Sequence, residues 1–116
     1  MRIVLADREG IARHALANLL SEIAGVEQVV EVGIRSALGS ALRHVGADVL
    51  VIDDRLVEDG RHLLAGLGPL LGTPRVIVVG VDDDPAYAAR ALRLGADAWV
   101  AKDRADDELP QLLDGR

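Results

Sequence analysis

The chain has 116 residues, which fits one domain able to bury roughly 65% of its unfolded surface, and half of its residues are hydrophobic although only 2% are aromatic. Thirteen Lys and Arg against nineteen Asp and Glu give a formal charge of −6, which argues against this chain itself gripping a nucleic-acid backbone or an anionic membrane. Zero cysteines exclude disulfides and thiolate chemistry, no apolar run reaches the roughly 20 residues of a membrane span, and no secretory leader precedes a first strand that starts at residue 2, so the expectation is a soluble, cytoplasmic, acidic domain.

In chain order, Arg2-Ile3-Val4-Leu5-Ala6-Asp7 is the first strand-like run and stops on a carboxylate. Residues 9–24 read as an amphipathic helix, because Ala12, Ala15 or Leu16, Leu19 and Ile23 recur at spacings of three and four and Gly25 ends the pattern. A second strand falls near 28–32. Ser36 to Val45 reads as a helix capped by Ser36 and stopped by Gly46, and the apolar run Asp48-Val49-Leu50-Val51-Ile52-Asp53 is a third strand ending on a second carboxylate. In 61–72, Gly66, Gly68, Pro69 and Gly72 interrupt any helix that starts at Arg61, so a short or frayed one is expected. The fourth strand, 75–80, closes on Gly80. Asp84 and Pro85 form an N-cap and first-turn pair for a helix over 85–94, with Gly95 just past its end. A fifth strand, 97–101, runs into Lys102, and 104–114 reads as a closing helix that contains Pro110.

Alternation of β-branched runs with Ala- and Leu-rich helical stretches predicts an α/β fold: a single domain over 1–116 with a doubly wound, five-stranded parallel sheet in the order 2-1-3-4-5. Near-continuous apolar first, third and fourth runs fit strands covered on both faces. In such sheets the working site lies outside the carboxyl ends of the strands, where Asp7, Asp53, Gly80 and Lys102 all fall. Clustered carboxylates there can hold Mg²⁺, one of them can serve as a phosphoryl-accepting nucleophile, and a facing lysine can stabilise the transferring charge. Acids at strand ends also cap helices or solvate loops. For Asp7 alone that plainer reading is preferred, whereas the three-strand pattern favours a site.

Ile3-Val4-Leu5-Ala6-Asp7, Ala47-Asp48-Val49-Leu50-Val51-Ile52-Asp53, the Asp59-Gly60 pair and Ala91-Leu92-Arg93-Leu94-Gly95-Ala96-Asp97-Ala98-Trp99-Val100-Ala101-Lys102-Asp103 together resemble the receiver domain of bacterial two-component response regulators over essentially the whole chain. Lys102 followed by Asp103 rather than proline is similar to the NarL/FixJ subgroup, whose receivers precede a LuxR-type helix-turn-helix. The resemblance implies the flavodoxin-like strand order, Asp53 as phosphoacceptor, Asp7 as one of the acids organising a metal site, Lys102 as the base contacting the phosphoryl group, and Trp99 at the switch aromatic position. For Trp99, a half-buried residue on the last strand is an equally good reading. A histidine kinase as phosphate donor, DNA contacted only through a separate domain, no membrane partner, and a homodimer through the helix 85–94, the strand 97–101 and the helix 104–114 are implied as well. Tyr87 and Trp99, the only aromatics, fall on that proposed dimer face.

Two positions depart from the family pattern. Arg8 stands where a second acid is usual, and if it points inward it opposes a cation by several kcal/mol, judging from roughly 4 kcal/mol per pair of unit charges at 4 Å. Otherwise it pairs with Asp53 or faces solvent, with Glu9 and Asp54 as acids within reach to supplement the pocket. Gly80 stands where the family has Thr or Ser, so it cannot give the phosphoryl oxygen a hydroxyl hydrogen bond worth roughly 1.5–3 kcal/mol. Val81 adds bulk, and the segment from Asp53 to Gly60 is one residue short and lacks proline. The expectation is an atypical receiver with a degenerate site, in which Mg²⁺ binding at Asp7 and Asp53 is weak or absent and phosphorylation is impaired or absent. No other cofactor is expected. An orthodox receiver phosphorylated on Asp53 is the alternative. A small phosphotransfer or hydrolytic enzyme is the least favoured reading, since His14, His44 and His62 lie away from the strand ends and no phosphate-cradling glycine loop is present.

Overall fold

The computed structural model describes residues 1–59, 74–81, 84–93 and 95–114. Five parallel strands, β1 (Arg2–Ala6), β2 (Gln28–Val32), β3 (Val49–Asp53), β4 (Arg75–Gly80) and β5 (Ala98–Ala101), form one sheet in the order β2-β1-β3-β4-β5. The described helices are α1 (Gly10–Ser21), α2 (Leu38–Val45), α3 (Asp54–Asp59), α4 (Pro85–Arg93) and α5 (Ala105–Asp114).

The period-2 side-chain alternation of the strands sorts the core into two layers. Val4, Ala6, Leu50, Ile52 and Val78 face one side and pack with Leu38 and Leu42 of α2, Leu56 of α3 and Ala91 of α4. Ile3, Leu5, Val49, Val51, Ile77, Val79 and Val100 face the other and pack with Ala17 and Leu20 of α1 and with Ala105, Leu109 and Leu113 of α5. Every residue of β3 is buried, as expected for the central strand of a sheet covered on both faces. The predicted α/β class, doubly wound architecture and strand order are thus all present.

Several boundaries differ from the sequence expectation. Helix α1 ends at Ser21, short of residue 24. Ser36 does not cap α2: Arg35–Ala37 form a 3₁₀ turn, α2 begins at Leu38 after Ala37 without a side-chain cap, and the buried pair Leu38 and Leu42 sets where the helix docks. Gly46 does end α2, in the left-handed conformation at φ 64° that a β-carbon disfavours. Asp84 caps α4 as expected, its Oδ1 accepting the Ala86 N–H at 2.9 Å. Pro110 sits inside α5, where the burial of Ala105, Leu109 and Leu113 offsets the lost backbone hydrogen bond. Helix α3 follows Asp53 directly, in the segment that is one residue short and lacks proline. The helix expected in 61–72, Gly60, His62 and Leu94 lie outside the described residues.

Candidate functional site

Strand register places the site. Ala6 pairs with Ile52, Asp53 with Val79, and Gly80 with Ala101, so Asp7 leaves β1 beside Asp53 while Lys102 leaves β5 beyond the end of β4. Alternation puts Asp7, Asp53 and Lys102 on the side of the sheet that faces α1 and α5. The lysine stem is long enough to reach back across the end of β4.

Asp7 and Asp53 are the buried charged residues of the described chain, 1% and 4% exposed. They are held in matching ways. The Lys102 ammonium donates to Asp53 Oδ2 at 2.7 Å and to Asp7 Oδ2 at 3.0 Å. Each Oδ1 accepts the backbone N–H two residues on, from Arg55 to Asp53 at 2.8 Å and from Glu9 to Asp7 at 3.0 Å. Burial pushes the Asp53 carboxyl up, but the hydrogen bonds from Lys102 and Arg55 outweigh it and hold the group below its ordinary value of 3.8. For Lys102, burial pulls downward and the two carboxylates pull harder, so the ammonium titrates above its ordinary 10.5.

Two arginines that the sequence reading did not single out complete the surroundings. Arg55 donates to Asp53 Oδ2 at 3.4 Å and to Glu9 Oε1 at 3.2 Å. Arg13, on α1, donates to the Asp7 carbonyl at 2.9 Å and to Glu31 at 3.0 Å, which ties the loop after β1 to β2. A basic residue two positions beyond a strand-end aspartate is a signal for Arg55, but its meaning depends on the turn into α3. Arg8, for which the sequence left open a place in the pocket, a pairing with Asp53 or a place facing solvent, is exposed. Asp54, expected in the acidic pocket, opens α3 with its Cβ toward Gly80. His14 and His44 are exposed, as expected, and His14 meets Glu31 at 3.1 Å.

On the opposite side of the sheet, Gly80 and Trp99 form a steric pair. A β-carbon built on Gly80 would lie 2.9 Å from Cζ2 of the Trp99 indole and 3.3 Å from the Asp54 β-carbon. Missing side-chain volume at position 80 is therefore filled by the ring. Trp99 is half-buried against the α2–α4 core layer, and its indole N–H is buried with no acceptor among the described residues.

The Mg²⁺ suggested by the family resemblance needs oxygen ligands and an excess of negative charge. Here two carboxylates already share an ammonium, Asp53 carries a guanidinium as well, and the described residues contain no group of three His, Cys, Asp or Glu side chains placed to hold a metal. This donor set does not fit the cation.

The model of the response regulator receiver domain family matches residues 3–114. At 28% identity over 97% of the chain, the transcriptional regulatory protein LytR of Staphylococcus aureus is a relative, and the chain spans 46% of its length. Among solved structures, the isolated receiver domain of RcsB from Salmonella enterica serovar Typhimurium superposes with a TM-score of 0.85 at 27% identity, over 97% of this chain and 84% of that one. The signal receiver domain of the response regulator NarL from Mycobacterium tuberculosis gives 0.82 at 27% identity, over 97% and 91%.

Two outcomes test this geometry. Lys102→Met leaves Asp7 and Asp53 buried without their shared cation and is expected to destabilise the fold by about 2–3 kcal/mol, after discounting for the lysine's partial exposure. Asp53, held low, contributes above its ordinary value and loses that as pH falls; Lys102, held high, contributes below its ordinary value and loses that as pH rises. In urea denaturation the parent should therefore keep this contribution from about pH 4 to pH 10 and lose it on either side, whereas the variant, in which one of the two buried carboxyls must take up a proton, should lose stability as pH rises through that window. The second outcome concerns Gly80→Thr, which collides with the indole and should cost about 1–3 kcal/mol, largely relieved when Trp99→Ala is added. A neutral Gly80→Thr with unchanged Trp99 fluorescence would contradict this packing.

Proposed function

The chain belongs to the response regulator receiver domain family, and on that premise we propose that it is the signal-receiving domain of an atypical response regulator, in which phosphate transfer to Asp53 is impaired or absent. The observation that carries this reading is the state of Asp53. One oxygen is held by Lys102 and Arg55 together and the other by a backbone N–H, so the nucleophile at the phosphoacceptor position is engaged by the chain's own donors. Arg8 stands where a second acid would recruit a cation, and the Trp99 ring fills the volume beside Gly80 from which a hydroxyl would reach a phosphoryl oxygen.

In this reading the domain regulates through its default conformation, through self-association or through a small ligand, and is not an enzyme. LytR is named as a transcriptional regulatory protein and is about twice as long as the matched region, which supports a role as part of a transcriptional regulator; its N-terminal place there and a cytoplasmic location are proposed from the family resemblance. DNA would then be contacted by a separate domain. None of the described helices is long and apolar enough to cross a membrane. The second reading is an orthodox receiver phosphorylated on Asp53 by a histidine kinase, and the convergence of Asp7, Asp53 and Lys102 within hydrogen-bond distance favours it.

Incubation with acetyl phosphate and Mg²⁺ followed by mass spectrometry separates the two. The parent is expected to remain unlabelled, and stoichiometric labelling at Asp53 would establish the orthodox reading instead. Self-association is proposed to use α4, β5 and α5. On α4, Leu92 is a large hydrophobic residue left 51% exposed, whereas Ala91 is fully buried in the core. Leu92→Asp should convert a dimeric parent to monomers in light scattering; an unchanged mass would assign the contact to another surface.

A further inference from the structure

We propose that Arg55 is a built-in counter-cation of the acidic pocket, bridging Asp53 at the end of β3 and Glu9 after β1 in place of a divalent ion. The inference rests on the atypical reading above and names the residue responsible for it. Its basis is position. Asp53 closes β3 and Glu9 lies in the loop after β1, and one guanidinium reaches both, at 3.4 Å and 3.2 Å. A guanidinium suits the task because its charge is permanent and its planar fork presents several donors at fixed angles.

The two contacts are unequal. Glu9 is 60% exposed and its contact with Arg55 is screened by water, whereas the Asp53 side chain is 3% exposed and its contact is shielded. The inner end therefore carries the effect. Arg55 is also anchored from its main chain, since its own N–H donates to Asp53 Oδ1 at 2.8 Å. Side chain and backbone of one residue thus engage both oxygens of one carboxylate. Tethering matters for competition: a group attached this closely acts at an effective concentration in the millimolar range or above, so an incoming ion must displace a competitor that never diffuses away. Its positive charge opposes the ion even after the guanidinium swings aside.

Calorimetric titration of the folded 116-residue chain with Mg²⁺ at fixed ionic strength tests the assignment, with Trp99, the single tryptophan, as an independent fluorescence readout. Arg55→Gln should bind Mg²⁺ about tenfold or more tightly than the parent, because a unit charge beside the ion is gone. Arg55→Lys keeps the charge and should stay within about threefold of the parent. Arg55 is 45% exposed, so neither change opens the core, and circular dichroism with thermal midpoints verifies the fold. A Gln variant no tighter than the parent overturns the inference, as does a Lys variant that gains as much as the Gln variant. If Arg8→Asp, titrated alongside, gains tenfold while Arg55→Gln gains nothing, the blocking charge is Arg8 and the inference again fails. A parent that binds Mg²⁺ as tightly as the RcsB receiver domain overturns the atypical reading itself, a result distinguishable from the others because it appears before any substitution is made.

Discussion

Two carboxylates buried side by side at the end of a sheet cannot both stay ionised without a cation between them, and here that cation is the Lys102 ammonium, 2.7 Å from Asp53 and 3.0 Å from Asp7. Much else follows from this contact. Asp7 and Asp53 come from adjacent strands, but Lys102 comes from β5, with β4 in between, so the contact forms only when all three strands run parallel and in register. It joins residues 95 positions apart in sequence, and it couples the sheet edge to the start of α5, which opens just beyond Lys102.

The strands and their order were legible in the sequence because a sheet covered on both faces demands uninterrupted apolar runs, and Val49–Ile52 and Val76–Val79 supply them. The triad was legible for the same reason: each member is the first polar residue after such a run. Helix ends were read less well. Ser36 has the chemistry of a cap, yet the docking of Leu38 and Leu42 fixed the start of α2 two residues later. Arg55 was missed because its position depends on the chain turning into α3 at once, and the Asp53 carboxylate organises that turn by accepting the Arg55 N–H. Charge at position 8 drew notice as a departure from a motif. At position 55 no motif called for any particular residue.

The pairing of Gly80 with Trp99 was legible only in half. A missing side chain at the end of β4 could be read from the sequence, but not what would fill the space, because that depends on β4 and β5 being neighbours with both residues on the same side of the sheet. Position 99 admitted two readings, a switch aromatic or a half-buried residue of the edge strand. The ring is half-buried on the edge strand and is turned onto Gly80, so the two descriptions meet in one geometry. Its N–H is buried with no acceptor among the described residues, so the ring is held there by its packing on Gly80 and the core.

The two departures act on different sides of the sheet. On the α1 and α5 side, the acids meet Lys102 and Arg55, so little negative charge is left to draw in a divalent ion. On the α2, α3 and α4 side, an indole stands where a hydroxyl would need room to move. Correcting either side alone leaves the other obstacle in place: a hydroxyl at position 80 without room for the ring introduces strain, and a metal-competent pocket without the hydroxyl lacks a donor for the product. Glycine at 80 and tryptophan at 99 are sterically matched, and so are the acids and cations electrostatically. A pocket matched on both counts holds one conformation well, which is consistent with the proposed reading of a domain that signals by its resting shape.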